Sequence, residues 1–401
     1  MKSLTDLYRI GYGPSSSHTM GPAKAARIAK EKCPDADGFR VILYSSLAKT
    51  GKGHMTDAVL RKVLSPVPSE IVFDMDTPTP EHPNTMEIIA YKEGQELQRF
   101  RIRSVGGGAI QMDGFKEAEA PEVYGEKNFD EIYQVCKQNG WRLWEYVEHN
   151  EGEEIWKFLA EVWKTMKTAV EKGLKREGVL PGGLEVQRRA PALYNQYNPS
   201  ESPETRENRM VCAYAFAVSE QNASGNRVVT APTCGSCGVV PAVLYYYQNK
   251  LGLPDQIILR ALATGGVIGN VVKTNASISG AECGCQAEVG TACCMASAAL
   301  AEINGLSLEQ IEYSAEVSME HMLGLTCDPI DGLVQIPCIE RNAVAAMRSI
   351  NAVSIATFLT SSRKITFDTV VETMYQTGLD MNARYRETAE GGLAKFYRPG
   401  E

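Results

Sequence analysis

The chain has 401 residues, 44% of them apolar and 22% charged, a balance typical of a soluble globular protein with room for two domains. Asp and Glu outnumber Lys and Arg by 49 to 41, and no basic cluster is longer than Arg188-Arg189. Nucleic acid and anionic membrane are therefore excluded as partners.

The opening MKSLTDLYRI carries no apolar signal region, so the expected location is cytoplasmic. GPSSSHTMGP, residues 13–22, then sets three serines and His18 between two Gly-Pro pairs. Residues 37–115 mix strand-like runs (FRVILYSS, SEIVFDM, TMEIIAYKEG, QRFRIRS) with one helical stretch near 55–64, the pattern of a small α+β domain. Between 128 and 178 apolar residues recur at helical spacing among charges, predicting amphipathic helices that act as a connector. The polar stretch NPSESPETREN (198–208) reads as an exposed loop.

From Met210 onward, runs such as ALATGGVIGNVV are apolar on every side and predict helices in the middle of a bundle. The charge-free stretch Val228 to Asn249 is broken by Pro232 and Pro241 and is not a membrane span. Ser307 followed by Gln310 is a capping box, opening a helix that should end near Gly324. Another helix should begin after Pro337. The expected architecture is an α+β N-terminal domain (1–125), a helical connector (126–180) and an all-α C-terminal helical domain (181–401).

Known cofactor loops are missing: no GxGxxG occurs, and GKG at 51–53 lacks the remainder of a phosphate loop. Eleven cysteines are many for a reducing compartment, and their odd count argues against a disulfide framework. Cys234 and Cys237 form the one CxxC, with no second pair to complete a zinc site. Cys293 and Cys294 sit among small residues that suit helix packing, and Cys33, Cys136 and Cys212 look structural. Cys285, Cys327 and Cys338 differ, each lying beside Gly or Pro at a helix edge; three such thiolates can bind zinc or an iron–sulfur cluster. Cys338 falls at a helix start, where the positive end of the helix dipole should lower its pKa.

Among the histidines, His82 and His149 lie in charged, loop-like surroundings and read as solvated. His321 reads as either core or a support for Cys327. His18 and His54 occupy flexible, small-residue settings that leave the imidazoles accessible, as in active-site loops.

The segments GPSSSHTMGP, SLAKTGKGHMTD, RSVGGGAIQMDG, EGVLPGGLEVQRRA, RVVTAPTCGSCGVVPAV, KTNASISGAECGCQAEVG, MEHMLGLTCDP, VQIPCIERNA and DMNARYRETAEGGLA closely resemble the single-chain iron–sulfur-dependent L-serine dehydratases. They span most of the chain in family order. The resemblance implies a lyase of amino-acid degradation that converts L-serine to pyruvate and ammonia, and it makes Cys285, Cys327 and Cys338 the ligands of a [4Fe-4S] cluster with one open iron. It implies no pyridoxal phosphate. It assigns the base to His54, with His18 as a polar contact or alternative base. Substrate contacts fall to Ser15, Ser16, Ser17 and Thr19, and to Thr274, Asn275 and Ser277 from the C-terminal half. Arg341 is left between a role at the cluster and a structural ion pair.

The apolar C-terminal half is compatible with a homodimer. The chain ends AKFYRPGE where several family members carry a terminal cysteine, and the 65–97 segment is shorter than in larger relatives, leaving self-capping and a regulatory serine site open. Two other readings are cysteine desulfidation on the same iron and a zinc-stabilised serine-sensing protein.

Overall fold

The computed structural model describes residues 1–113, 122–359 and 363–398; the last residues of the AKFYRPGE segment lie outside them. The chain opens with strand β1 (Ile10–Tyr12), a π-helical turn at Ser16–Met20 and helix α1 (Gly21–Lys32). There follow β2 (Gly38–Tyr44), α2 (Ser45–Thr50), α3 (Thr56–Leu64), β3 (Ser69–Asp74), β4 (Thr85–Lys92), β5 (Gln95–Ser104) and β6 (Ile110–Met112).

Strands β2 to β6 form one sheet in the order β3-β2-β4-β5-β6, with β2 and β3 parallel and the other neighbours antiparallel. The two-residue period of a strand turns Phe39, Val41 and Leu43 inward while Arg40 faces water. They join Ala25, Ala29, Leu60, Leu64, Ile88 and Ile102 in a core between the sheet and helices α1 and α3. The expected strands and the 55–64 helix are therefore present, except that the closing Ser45-Ser46 of FRVILYSS starts α2.

The helical part comprises α4 (Phe129–Asn139), α5 (Leu143–Glu151), α6 (Glu154–Gly173), α7 (Ala190–Asn195) and α8 (Pro203–Ala223). After β7 (Arg227–Val229) come α9 (Val239–Leu251), α10 (Asp255–Asn275), α11 (Gly280–Cys283), α12 (Thr291–Ile303) and α13 (Leu308–Glu320). The chain closes with α14 (Cys338–Leu359), α15 (Phe367–Asp380) and α16 (Gly392–Phe396). Helix α10 is long and apolar enough to cross a membrane, but 72% of that window is buried inside the protein, as its all-round apolar sequence requires of a bundle core.

Three expectations need correction. Residues 203–208 are the first turns of α8 rather than loop: Pro203 suits the first helical position and Ser202 caps it, accepting from the Thr205 amide. The Ser307/Gln310 capping box is present, but α13 ends at Glu320, and Gly324 (φ 81°) serves the turn beyond it. Finally, Met1, Leu4, Leu7 and Tyr8 pack into the helical core, and β1 pairs with β7, so the first residues belong with the helical part. The chain thus starts in the helical unit, leaves it to build the α+β unit, and returns. That path lays residues 13–20 along the junction.

Candidate functional site

Two motifs of the α+β unit clasp each other there. Thr19 Oγ1 donates to the His54 carbonyl oxygen (2.7 Å), and Thr56 Oγ1 donates to the His18 carbonyl oxygen (2.6 Å). The exchange brings the two imidazoles together, tilted at 33° with ring centroids 4.4 Å apart. Ser15 caps the π-helical turn that carries His18, its Oγ accepting from the His18 amide at 3.0 Å. Such turns are rare and recur at functional sites. Contact with the helical unit is close: a Cβ on Gly53 would lie 2.6 Å from the Gly332 carbonyl, and Asn222 Nδ2 donates to the Pro14 carbonyl at 2.8 Å.

Neither histidine is accessible in the way its glycine-rich setting suggests; His18 and His54 are fully buried. Burial removes water from the charged form and pushes His54 down to about 4 and His18 well below the ordinary histidine range. His54 Nδ1 lies 2.9 Å from the Thr50 carbonyl, which only accepts, so Nδ1 carries the proton and Nε2 keeps its lone pair.

Beside His54 is a small cavity, lined by Ser15, His54, Glu288, Glu387 and the three cysteines Cys285, Cys327 and Cys338. Cys285 immediately precedes a second π-helical turn, Gln286–Gly290, which carries Glu288. Cys285 Sγ, Cys327 Sγ and a Glu288 oxygen all lie within 4.8 Å of one another. A hydrogen bond with Cys327, helped by the nearby Arg341, lowers Cys285, while the same bond and burial raise Cys327. Burial and the charge of Cys285 raise Cys338 as well, outweighing the helix-start effect expected to lower it.

Of the two roles left open for Arg341 the structural ion pair is present: its guanidinium pairs with Asp328 at 2.8 Å, and its positive charge also lies near Cys285. Two buried thiols and the half-buried Cys338 converging beside a cation form a soft, electron-rich donor set, which fits an iron–sulfur cluster.

Two acidic residues at the site escaped the sequence reading. Burial raises Glu288 to about 7. Glu387, within the DMNARYRETAEGGLA motif, points Oε1 at both histidines, 3.5 Å from His18 Nδ1 and 3.7 Å from His54 Nε2. Its backbone is left-handed (φ 57°), an outlier for a residue with a side chain, and its amide donates to the Cys327 carbonyl at 2.9 Å. Burial and the charges of Glu288 and Cys285 hold it well above the usual carboxylate range.

The remaining expected residues divide. Ser17 Oγ lies 3.0 Å from His18 Nδ1, Ser16 is buried and its carbonyl accepts from the Gly21 amide, and Thr19 is the clasp just described. Thr274 and Asn275 are not brought to the cavity; both are exposed at the end of α10, where Asn275 Nδ2 donates to the Lys127 and Val271 carbonyls. Ser277 Oγ donates to Glu282 at 2.5 Å instead of lining the cavity.

His82 is buried, not solvated: its Nδ1 accepts from the Asn84 amide, and its Nε2–H faces Glu282 Oε1 at 3.9 Å. His82 Nε2, Asn84 Oδ1 and Ser279 Oγ are buried without a protein hydrogen-bond partner among the described residues. His321 is exposed, with Nδ1 on the Val317 carbonyl, and supports nothing at Cys327; His149 is exposed as expected. The CxxC cysteines are buried, with Cys234 Sγ against Met20 Sδ, and Cys293 and Cys294 bond to helix carbonyls in the core.

Acid–base groups and soft ligands converging on one enclosed cavity define an enzyme site. The chain belongs to the serine dehydratase family: the model of the serine dehydratase alpha chain matches residues 82–394 and that of the beta chain residues 3–70. It is 42% identical to the L-serine dehydratase of Haemophilus influenzae, covering 98% of this chain and 99% of that protein. It is 41% identical to L-serine dehydratase 1 of Escherichia coli K12, with coverages of 98% and 99%, and 41% identical to the L-serine dehydratase of Streptomyces coelicolor, with 98% of each.

Proposed function

We propose that this chain is an L-serine dehydratase that eliminates water from L-serine to give pyruvate and ammonia, with Cys285, Cys327 and Cys338 holding a [4Fe-4S] cluster. The convergence of His54, Glu387 and these three thiols on one cavity, in a chain of this family, carries the reading. When bound, the cluster supplies an open iron, a Lewis acid for the substrate carboxylate and the departing hydroxyl.

The protein's own groups do the rest. His54, neutral and fixed by Thr50, offers Nε2 as the base that takes the α-proton. As that C–H bond breaks, its electron pair forms the Cα=Cβ bond and the hydroxyl leaves, taking a proton to become water. The resulting enamine tautomerises to an imine, which water hydrolyses to pyruvate and ammonia. Ser15 lines the cavity and can hydrogen-bond the substrate, while Ser17 holds the His18 ring. Burial keeps bulk water from the enamine. Eleven free thiols suit the reducing cytoplasm.

The test is anaerobic purification, iron and sulfide analysis, and pyruvate release from L-serine, L-threonine and L-cysteine. L-Serine should be turned over fastest. Faster release from L-cysteine would replace dehydration with desulfidation, and a zinc-bearing protein inactive on all three would leave a sensing role.

A further inference from the structure

The hydrogen bonds around Glu387 fix both histidine tautomers. Ser46 Oγ donates to the Glu387 carbonyl oxygen at 2.9 Å, so its proton is committed. His18 Nε2, 3.2 Å from the same Oγ, must therefore be the donor to it, which leaves the lone pair on Nδ1. His54 carries its proton on Nδ1 and its lone pair on Nε2. Both lone pairs thus face one carboxyl oxygen, at 3.5 and 3.7 Å, and all three donor atoms lie within 4.8 Å of one another.

Tetrahedral zinc with bonds of about 2.0–2.2 Å separates its ligand atoms by roughly 3.3–3.6 Å, close to the 3.5 and 3.7 Å from Glu387 Oε1 to the two nitrogens. Each outer nitrogen is already held as metal-bound imidazoles are held, His54 by a backbone carbonyl and His18 by a hydroxyl. Ser17 Oγ, which shares a proton contact with His18 Nδ1, also lies 3.3 Å from Ser15 Oγ and can turn its proton there.

We propose that His18 Nδ1, His54 Nε2 and Glu387 Oε1 form a second metal site, selective for a divalent transition ion such as Zn²⁺, whose occupation blocks catalysis. A metal on His54 Nε2 occupies the lone pair that takes the substrate proton, so binding and turnover exclude each other. The inhibitory part rests on the function proposed above; the site itself does not.

The experiment is anaerobic titration of the cluster-bearing enzyme with ZnCl₂, measuring bound zinc, iron and sulfide after gel filtration, with pyruvate release assayed in parallel. The expected result is one zinc per chain with iron unchanged, inhibition relieved by L-serine and reversed by EDTA, and at least tenfold weaker zinc binding in Glu387→Gln. Zinc that enters only as iron leaves would overturn the site, as would zinc bound equally tightly by a Glu387→Gln protein of unchanged visible absorbance. If that variant loses its cluster, Glu387→Asp and serine competition in the unmodified enzyme decide: zinc binding indifferent to L-serine contradicts the blocking role. One zinc bound to a chain that releases no pyruvate even before zinc is added would uphold the site and overturn the proposed function; pyruvate release without zinc binding would do the reverse.

Discussion

His54 shows how much of one residue's chemistry comes from its neighbours. The Thr50 carbonyl sets the tautomer, burial keeps the ring neutral, and Thr19 fixes the backbone. His54→Ala is expected to keep its iron while kcat falls by roughly 10²–10⁴-fold, the span of general-base catalysis; a retained rate would move the base to His18. Cys327→Ser should lose both iron and activity and Cys33→Ser neither, because Cys33 packs at the edge of the α+β core with its thiol near Gln98. An active, iron-replete Cys327→Ser protein would overturn the ligand assignment. A third residue reports on stability. Burial would raise Asp6, but Lys273 and Arg9 outweigh it and hold the carboxyl at about 2, against 3.8 for a free aspartate. A lowered folded-state pKa stabilises fully above the free value and is lost as pH falls from about 4 through 2, here about 2 kcal/mol. The urea midpoint of Asp6→Asn should therefore fall below that of the unmodified protein at pH 7, and the gap should narrow at pH 3; an equal gap at both would contradict the ion-pair account.

At the scale of elements, the site is built where helices begin irregularly and loops touch. The π-helical turns at Ser16–Met20 and Gln286–Gly290 lead into α1 and α12 and carry His18 and Glu288 into the junction. Gly53 lets the GKGH loop lie on Gly332, so Gly53→Ala has a backbone atom in its way. It should lower kcat/KM by at least about tenfold through a sub-ångström displacement of His54, with an unchanged circular dichroism spectrum; unaltered kinetics would show that this contact does not position the base. The three cysteines and two histidines stand out in the sequence because each sits in a distinctive local motif. Glu387 lies in such a motif too, DMNARYRETAEGGLA, but nothing around Arg386-Glu387-Thr388 tells which residue the fold will press against His18. His82 misleads for the opposite reason: Glu81 and Pro83 look solvated until α11 brings Glu282 opposite the ring. Thr274 and Asn275 show that small polar residues finishing a helix resemble those lining a site.

At the scale of the whole molecule, an N-terminal sheet unit and a mostly helical unit are legible from hydrophobic periodicity alone. Their interleaving is not, because strand β1 finds β7 only in the folded chain. That interleaving gives the α+β unit its grip: the histidines come from one unit, the thiols from the other, and Glu387 from a C-terminal segment bonded to both through Cys327 and Ser46. Catalysis should depend on the two units meeting around the cluster. The most direct test follows iron content and pyruvate release from L-serine in one anaerobically purified sample as air is admitted. Both should decline together and return together on anaerobic reconstitution with iron and sulfide; pyruvate release that persists after the iron is gone would contradict the account.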